Sequence, residues 1–203
     1  MNRIPLSIRK GELIFLLSIL SHLLSAQIIS YNIKLWGDSI GRMDVVHTHN
    51  KDSSDTYIIE SKSKAKFLWI VRDGYSKFEA IYKNGKLISS SHVEIENKKA
   101  KRSTTVKYDG KLYQVNSTET GTRSFSETPL CSDASMYFSE YKNTSRIFYL
   151  PDASFYNTTR INSNTIEFKS SDGHRNVYLF ENGRIKSMEF HLPLASVYMN
   201  RIN

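Results

Sequence analysis

Residues 175–191 read RNVYLFENGRIKSMEFH, and they hold two strands with the turn that joins them. Val177 and Leu179 alternate with Tyr178 and Phe180 in the first half. Met188, Phe190 and Leu192 alternate with Ser187, Glu189 and His191 in the second. A period of two belongs to β-strand, where successive side chains leave opposite faces. Asn182-Gly183 stands between the halves. A two-residue hairpin of type I′ needs positive φ at both central positions, which Asn tolerates and Gly adopts without a Cβ clash. The stretch therefore predicts strands over 175–181 and 184–191. Apolar residues on both sides of the first predict cover on both of its faces.

The same grammar extends along the chain. IISYNIKL sets Ile29, Tyr31, Ile33 and Leu35 on one face. RMDVVHTH sets Met43 and Val45 there, with His47 and His49 continuing the row, and KFEAIY sets Phe78, Ala80 and Tyr82. Asn84-Gly85 and Asp109-Gly110 predict further two-residue hairpins, and SSDGHR a fourth turn. Thr, Val, Ile, Tyr and Phe fill the runs, and long Ala/Leu/Glu stretches are absent. Consecutive hairpins make an antiparallel meander. The expectation is an all-β domain of about ten to twelve strands, curled into a barrel or half-barrel because so long a sheet rarely stays flat. One segment departs from the pattern. TPLCSDASMYFSEY, residues 128–141, predicts a short helix near 129–140, capped by Thr128 or Ser132, with Leu130, Ala134, Tyr137 and Phe138 as its apolar stripe.

The first 26 residues read as a signal peptide and not as fold. Arg3, Arg9 and Lys10 precede the apolar run LIFLLSILSHLL, and LSAQ offers cleavage after Ala26. Residues 27–203 then form a single β domain, soluble in the periplasm or outside the cell. The chain's formal charge of +8 falls to +6 with Arg3, Arg9, Lys10 and Glu12 removed. Cys131 is the one cysteine, so no intramolecular disulfide forms.

GDSI, residues 37–40, resembles the opening block of the GDS-type lipases and esterases, whose Ser is the nucleophile; Asp44 and His47 even supply an Asp-x-x-His. That family places its Ser between a buried parallel strand and a helix, needs a Gly-x-Asn-Asp block, and carries Asp-x-x-His near its C-terminus. Here Asp44 and His47 lie three residues apart on a strand, so they face opposite ways. A hairpin turn over Gly37–Gly41 explains the residues without chemistry.

His47 and His49, spaced i, i+2, point the same way, as metal ligands do; His92, His174 or a carboxylate would have to complete a site, and no metal is expected from two histidines alone. NKKAKR brings together Lys98, Lys99, Lys101 and Arg102, which fits an anionic envelope surface or a solvated hairpin loop. No nucleic-acid motif is present. KFLWIV, residues 66–71, is apolar on both faces and predicts a strand covered on both sides, with Phe67 and Trp69 lining a ligand cavity or filling the core. Asn-x-Ser/Thr sequons stand at Asn116, Asn143 and Asn157.

YNIKLWGDSIGRMDV and DGHRNVYLFENGRIKSMEF together resemble an uncharacterised family of exported bacterial β proteins, classed as a domain of unknown function. The shared residues are turns and strand positions, so the resemblance implies architecture and no catalytic residue. In outline the chain is also similar to the curled sheets of periplasmic lipoprotein carriers and lipocalin-like proteins. Three functions follow as expectations. The first is non-catalytic binding of a lipid or other amphipathic small molecule in the concave face, at His47, His49, Phe67 and Trp69, without a cofactor. The second is a structural or protein-interaction module with a filled interior. The third is an enzyme of unrecognised type.

Overall fold

The computed structural model describes residues 26–67, 70–138, 145–170, 173, 175–192 and 195–202. The first half contributes β1 (Gln27–Leu35), β2 (Asp38–His49), β3 (Ser54–Phe67), β4 (Ile70–Lys83), β5 (Lys86–Glu96), β6 (Lys99–Tyr108), β7 (Tyr113–Ser117) and β8 (Gly121–Phe125). A 3-10 turn, Ser135–Tyr137, follows. The second half contributes β9 (Arg146–Tyr149), β10 (Ser154–Asn162), β11 (Thr165–Lys169), β12 (Arg175–Glu181), β13 (Arg184–His191) and β14 (Ser196–Arg201). All fourteen belong to one antiparallel sheet in the order β8-β7-β6-β5-β4-β3-β2-β1-β14-β13-β12-β11-β10-β9. The all-β meander is as the alternation predicts. The surplus over ten to twelve strands comes from short ones such as β8 and β9, of 5 and 4 residues. Runs so short carry too little alternation to be counted from sequence.

The two ends of the chain meet in the middle of the sheet, where Ile33 of β1 pairs with Met199 of β14. The sheet's edges are therefore β8 and β9, consecutive in sequence and joined by the longest connection. The sheet curls until these edges face each other, but no ladder joins them. Side chains span the seam instead. Phe125 of β8 lies 5.5 Å from Phe148 of β9 and 5.8 Å from Phe155 of β10, ring centre to ring centre. Arg123 Nη2 donates to the Asp152 and Ala153 carbonyls at 2.7 and 2.8 Å.

The concave face is the core. Ile29, Tyr31, Ile33, Met43, Val45, Ile59, Tyr82, Leu87, Val106, Phe168, Tyr178 and Met188 are buried on it. Part of the interior is filled by the β8–β9 connection. Leu87 N–H donates to the Pro129 carbonyl, and residues 131–133 run parallel to β9, with Phe148 N–H on the Cys131 carbonyl at 2.9 Å. Ser132 and Ser135 cap each other: Ser135 N–H donates to Ser132 Oγ and Ser132 N–H to Ser135 Oγ. The Tyr137 hydroxyl donates to Met188 Sδ at 3.2 Å, and its ring meets that of Tyr31 edge-on at 5.7 Å. The short helix expected near 129–140 is thus a single 3-10 turn inside the sheet. Leu130, placed on its apolar stripe, is instead 69% exposed; residues 139–144 lie outside the described part.

Type I′ geometry is present at Asn84-Gly85 (φ 51°, 73°) and Asn182-Gly183 (φ 52°, 74°), as expected, and also at Trp36-Gly37 and Asn97-Lys98. Four expectations need correction. Asp109-Gly110 opens a four-residue loop, because the Asp109 carboxylate accepts the Lys111 and Leu112 N–H groups and holds a wider turn. The turn near residue 37 is Trp36-Gly37 alone, and Asp38–Gly41 already belong to β2. Only the inner face of β12 is covered: Tyr178 and Phe180 are buried while Leu179 is exposed. Finally, KFLWIV is not one covered strand. Phe67 ends β3 and pairs with Ile70 at the start of β4. β2 stops pairing at Ser63 and β5 at Gly74, so residues 64–67 and 70–73 pair only with each other and project beyond their neighbours. Val71 is accordingly 42% exposed.

Candidate functional site

Strand register builds the inner face row by row. One row runs Ile29, Val45, Ile59, Phe78, His92, Thr104 and Ser117, each directly opposite the next across β1 to β7. The neighbouring row runs Tyr31, Met43, Ser61, Ser76, Glu94 and Arg102. The first begins apolar and turns polar at His92; the second turns polar at Ser61. Where these rows meet β13 and β14, a cavity of about 330 Å³ remains beside the internal turn. Met43, Ile59, Phe78, Phe190, Val197 and Met199 supply apolar wall, and Ser76, His92, Glu94, Arg102 and Asp133 supply polar atoms. A second hollow of about 350 Å³ continues outward along β3 and β4 and shares Ser61, Ser76, Glu94 and Leu192 with it.

His92 is 4% exposed. Its ring stacks on the directly opposed Phe78, 4.1 Å away and 2° from parallel. Nε2 lies 3.2 Å from Ser76 Oγ, and Nδ1 has no hydrogen-bond partner. Burial, helped by the Arg102 charge, pushes its pKa down to about 4, so the imidazole is neutral at pH 7. Arg102 Nη1 reaches Glu119 at 3.0 Å and Asp152 at 3.3 Å, and Nε is 3.6 Å from Glu94 without bonding to it. Asp133, beside the internal turn, accepts the Leu150 N–H at 3.2 Å. Burial pushes its pKa up to about 7 against the backbone N–H groups, and nearby Asp152 adds to the rise.

Ser76 and His92 form a Ser–His pair, so the chemistry needs weighing. In a nucleophilic triad a carboxylate holds Nδ1 and the imidazole is a base near neutrality. Here Nδ1 has no carboxylate, and a base of pKa about 4 accepts a proton poorly at pH 7. The arrangement is suited to holding a polar group, not to activating the serine.

The residues singled out from sequence lie elsewhere. His47 Nε2 and His49 Nδ1 do come together, both on Asp55 Oδ1 at 2.9 and 3.0 Å. The His47 ring stacks on Tyr57 at 4.6 Å and leans on Phe138 at 5.2 Å. Neither histidine lines the cavity. Among the described residues no group of three or more His, Cys, Asp or Glu is placed to hold a metal ion. Phe67 sits at the end of the projecting hairpin with its side chain outside the described part; Trp69, His174 and Asn143 also lie outside it. In the basic run, Lys98 is a turn residue, Lys101 pairs with Glu94 and Glu96, and Arg102 faces inward. Ser39 Oγ donates to Asn32 Oδ1 at 2.6 Å, while Asp44 binds Ser30 and Arg42. Ser39, Asp44 and His47 therefore share no relay.

These features define a class: a curled, barrel-like antiparallel sheet with an internal turn and a small cavity. Within that class, the chain belongs to the family of the DUF6134 domain of unknown function, whose model matches residues 31–202. Its fold is similar to that of a beta-barrel-like protein of the DUF1849 domain of unknown function from Brucella abortus, known from a crystal structure. The two superpose with a TM-score of 0.57 at 12% identity, over 89% of this chain and 97% of that one. At such identity the likeness concerns the fold. No curated protein matches the chain.

Proposed function

We propose that this is an exported, non-catalytic binding protein that holds an apolar or amphipathic ligand in the concave face of its sheet. The observation that carries the reading is the cavity of about 330 Å³ between β2–β6 and β13–β14, apolar on one side and polar on the other. Small-molecule sites are concave, mostly apolar hollows of roughly 300–1,000 Å³ with a few convergent polar groups. The signal-like composition of residues 1–26 supports export to the periplasm or beyond. Lys98 and Lys99, exposed at the β5–β6 turn, supply the contact with an anionic envelope surface.

A second reading, a structural or interaction module, draws on the internal turn: Ser132, Ala134, Met136 and Tyr137 already fill part of the interior. Native mass spectrometry of protein purified from its own host decides between them. A retained small amphiphile, with an N-terminus at Gln27, is the expected result. A bare chain that takes up no added amphiphile favours the interaction module, and an intact Met1 on a membrane-bound product removes the export claim.

A further inference from the structure

The turns at the two ends of the meander use their positive-φ positions differently. At one end stand Asn84-Gly85 and Asn182-Gly183, residue types that adopt such φ at little cost. The opposite end, where β1–β2, β3–β4, β5–β6 and β13–β14 connect, has Trp36-Gly37 and Asn97-Lys98. Trp36 has a φ of 51°, the value of Asn84, and Lys98 has 65° where Gly85 and Gly183 have 73° and 74°. A bulky side chain in the left-handed region is strained, and such positions cluster at functional sites. Burial does not offset the strain, since Trp36 is 59% exposed and Lys98 is exposed too. The same end carries the projecting part of β3 and β4, where Lys66 is directly opposite Val71 and both are exposed. Among the described residues, Lys66, Lys98 and Lys99 join none of the ion pairs that hold Lys64, Arg72 and Lys101. Leu192, 46% exposed, begins the β13–β14 connection. It lines the outer hollow with Ala65 and Arg72 of the hairpin, and that hollow continues into the cavity.

We propose that this end of the sheet docks on a phospholipid bilayer bearing anionic lipid, with Trp36 at head-group level and Lys66, Lys98 and Lys99 on the phosphates, so that the cavity opens onto the membrane. This rests on the envelope-surface reading above and names that surface as lipid. Each residue type suits the place. An indole ring is amphipathic and settles where head groups meet acyl chains, and exposed aliphatic groups such as Val71 and Leu192 gain by leaving water beside it. Lysines without an acidic partner are drawn to the negative potential of anionic lipid. An anionic polymer would use the lysines but leave the exposed, strained Trp36 without a role. Docked in this way, an amphiphile passes between bilayer and cavity along the outer hollow without crossing water.

Co-sedimentation with vesicles tests this, on protein purified from its own host so that every variant shares one N-terminus. Wild type should bind vesicles of phosphatidylcholine and phosphatidylglycerol at least about tenfold more tightly than phosphatidylcholine alone. Trp36→Asn should weaken binding to the mixed vesicles about tenfold, and Lys98→Gly about fivefold, the share of one lysine at a charged membrane surface. Neither should lower the melting temperature, because Asn and Gly hold the same positions in the turns at the opposite end. Lys51→Gln, at that opposite end and with the same loss of charge, should leave binding unchanged. If Trp36→Asn binds as wild type does, the contact is one of charge alone and the bilayer assignment is overturned, while binding to dextran sulfate keeps the envelope-surface reading. If Lys51→Gln weakens binding as much as Lys98→Gly, net charge drives it and the assignment of this end is wrong. If the protein binds neither mixed vesicles nor dextran sulfate, the envelope-surface reading falls as well; retention of an amphiphile is measured separately and stands or falls by itself.

Discussion

Arg123, on the last strand before the long connection, donates its Nη2 protons to the carbonyl of Ala153 at 2.8 Å and to that of Asp152 at 2.7 Å, in the turn between the first two strands after it. A guanidinium thus substitutes for a ladder between β8 and β9. The backbone it grips is unusual, since Ala153 has a φ of 48°. Hydrogen bonds involving a charged group contribute about 1.5–3 kcal/mol each, less where solvent reaches them. Arg123→Met, which keeps the stem and removes the donors, should lower stability by about 2 kcal/mol. Urea unfolding measures this, and a midpoint equal to wild type would show that the aromatic contacts of Phe125 hold the seam alone.

Two glycines separate two kinds of requirement. Gly183 sits in a type I′ turn at φ 74°, where a β-branched residue costs roughly 1–3 kcal/mol in backbone strain. Gly41 lies within β2, opposite Ser63, where an added Cβ would stand 2.1 Å from the Lys62 carbonyl oxygen. No rotamer relieves a backbone clash, so the β2–β3 pairing must open locally. Gly41→Ala should therefore destabilise more than Gly183→Ala in thermal unfolding. The reverse order would mean that β2 and β3 are farther apart than described.

His92 and Asp133 impose opposite pH dependences. Asp133 keeps its proton in the fold until about pH 7, whereas the unfolded chain releases it near 3.8, so this group lowers stability as pH rises through that window. His92 stays neutral in the fold down to about pH 4, whereas the unfolded chain takes a proton below 6.5, so this group lowers stability as pH falls. Between pH 4 and 6.5 the two slopes largely cancel. Asp133→Asn should unmask a stability rising by up to ~1.4 kcal/mol per pH unit, and His92→Phe one that falls at a similar rate. The lowered pKa values of Asp44, Asp55 and Asp109 act below this window, with their stabilisation lost as pH falls under about 3.8. Parallel slopes in both variants, from denaturant midpoints across pH 4–7, would contradict this assignment.

Neither candidate serine should behave as a nucleophile. Ser39 is bonded to Asn32 at the surface, and Ser76 faces an imidazole that accepts a proton poorly at pH 7. A fluorophosphonate probe should leave both unlabelled. Ser39→Ala should change stability by about 1 kcal/mol or less, as surface changes do. Labelled Ser76 would reopen the enzymatic reading.

The sequence by itself determined the class of fold. Alternation and the paired turns Asn84-Gly85 and Asn182-Gly183 are local signals, because side-chain period and positive φ are properties of a few adjacent residues. Ile29, Tyr31, Ile33, Met43 and Val45 point inward as their spacing requires. The cavity was not legible, and the reason is a set of β-bulges. After Asn84-Gly85, Tyr82 pairs with Leu87 but Ile81 pairs with Ser89, so Ile88 is an extra residue. Strict alternation from the buried Leu87 would turn Val93 inward and His92 to solvent; the bulge reverses this and buries Ser90 and His92. Equivalent register shifts follow Trp36-Gly37, Asn97-Lys98 and Asn182-Gly183. An inserted residue shifts the phase of the pattern by one, as between the buried Ile185 and Met188, but adjacent apolar residues such as Leu87 and Ile88 leave either phase open, so the packing of the whole inner face selects it. The pairing of β1 with β14, the burial of Asp133 beside the internal turn and the reach of Arg123 across the seam are likewise contacts between distant parts of the chain, and tertiary structure alone decides them.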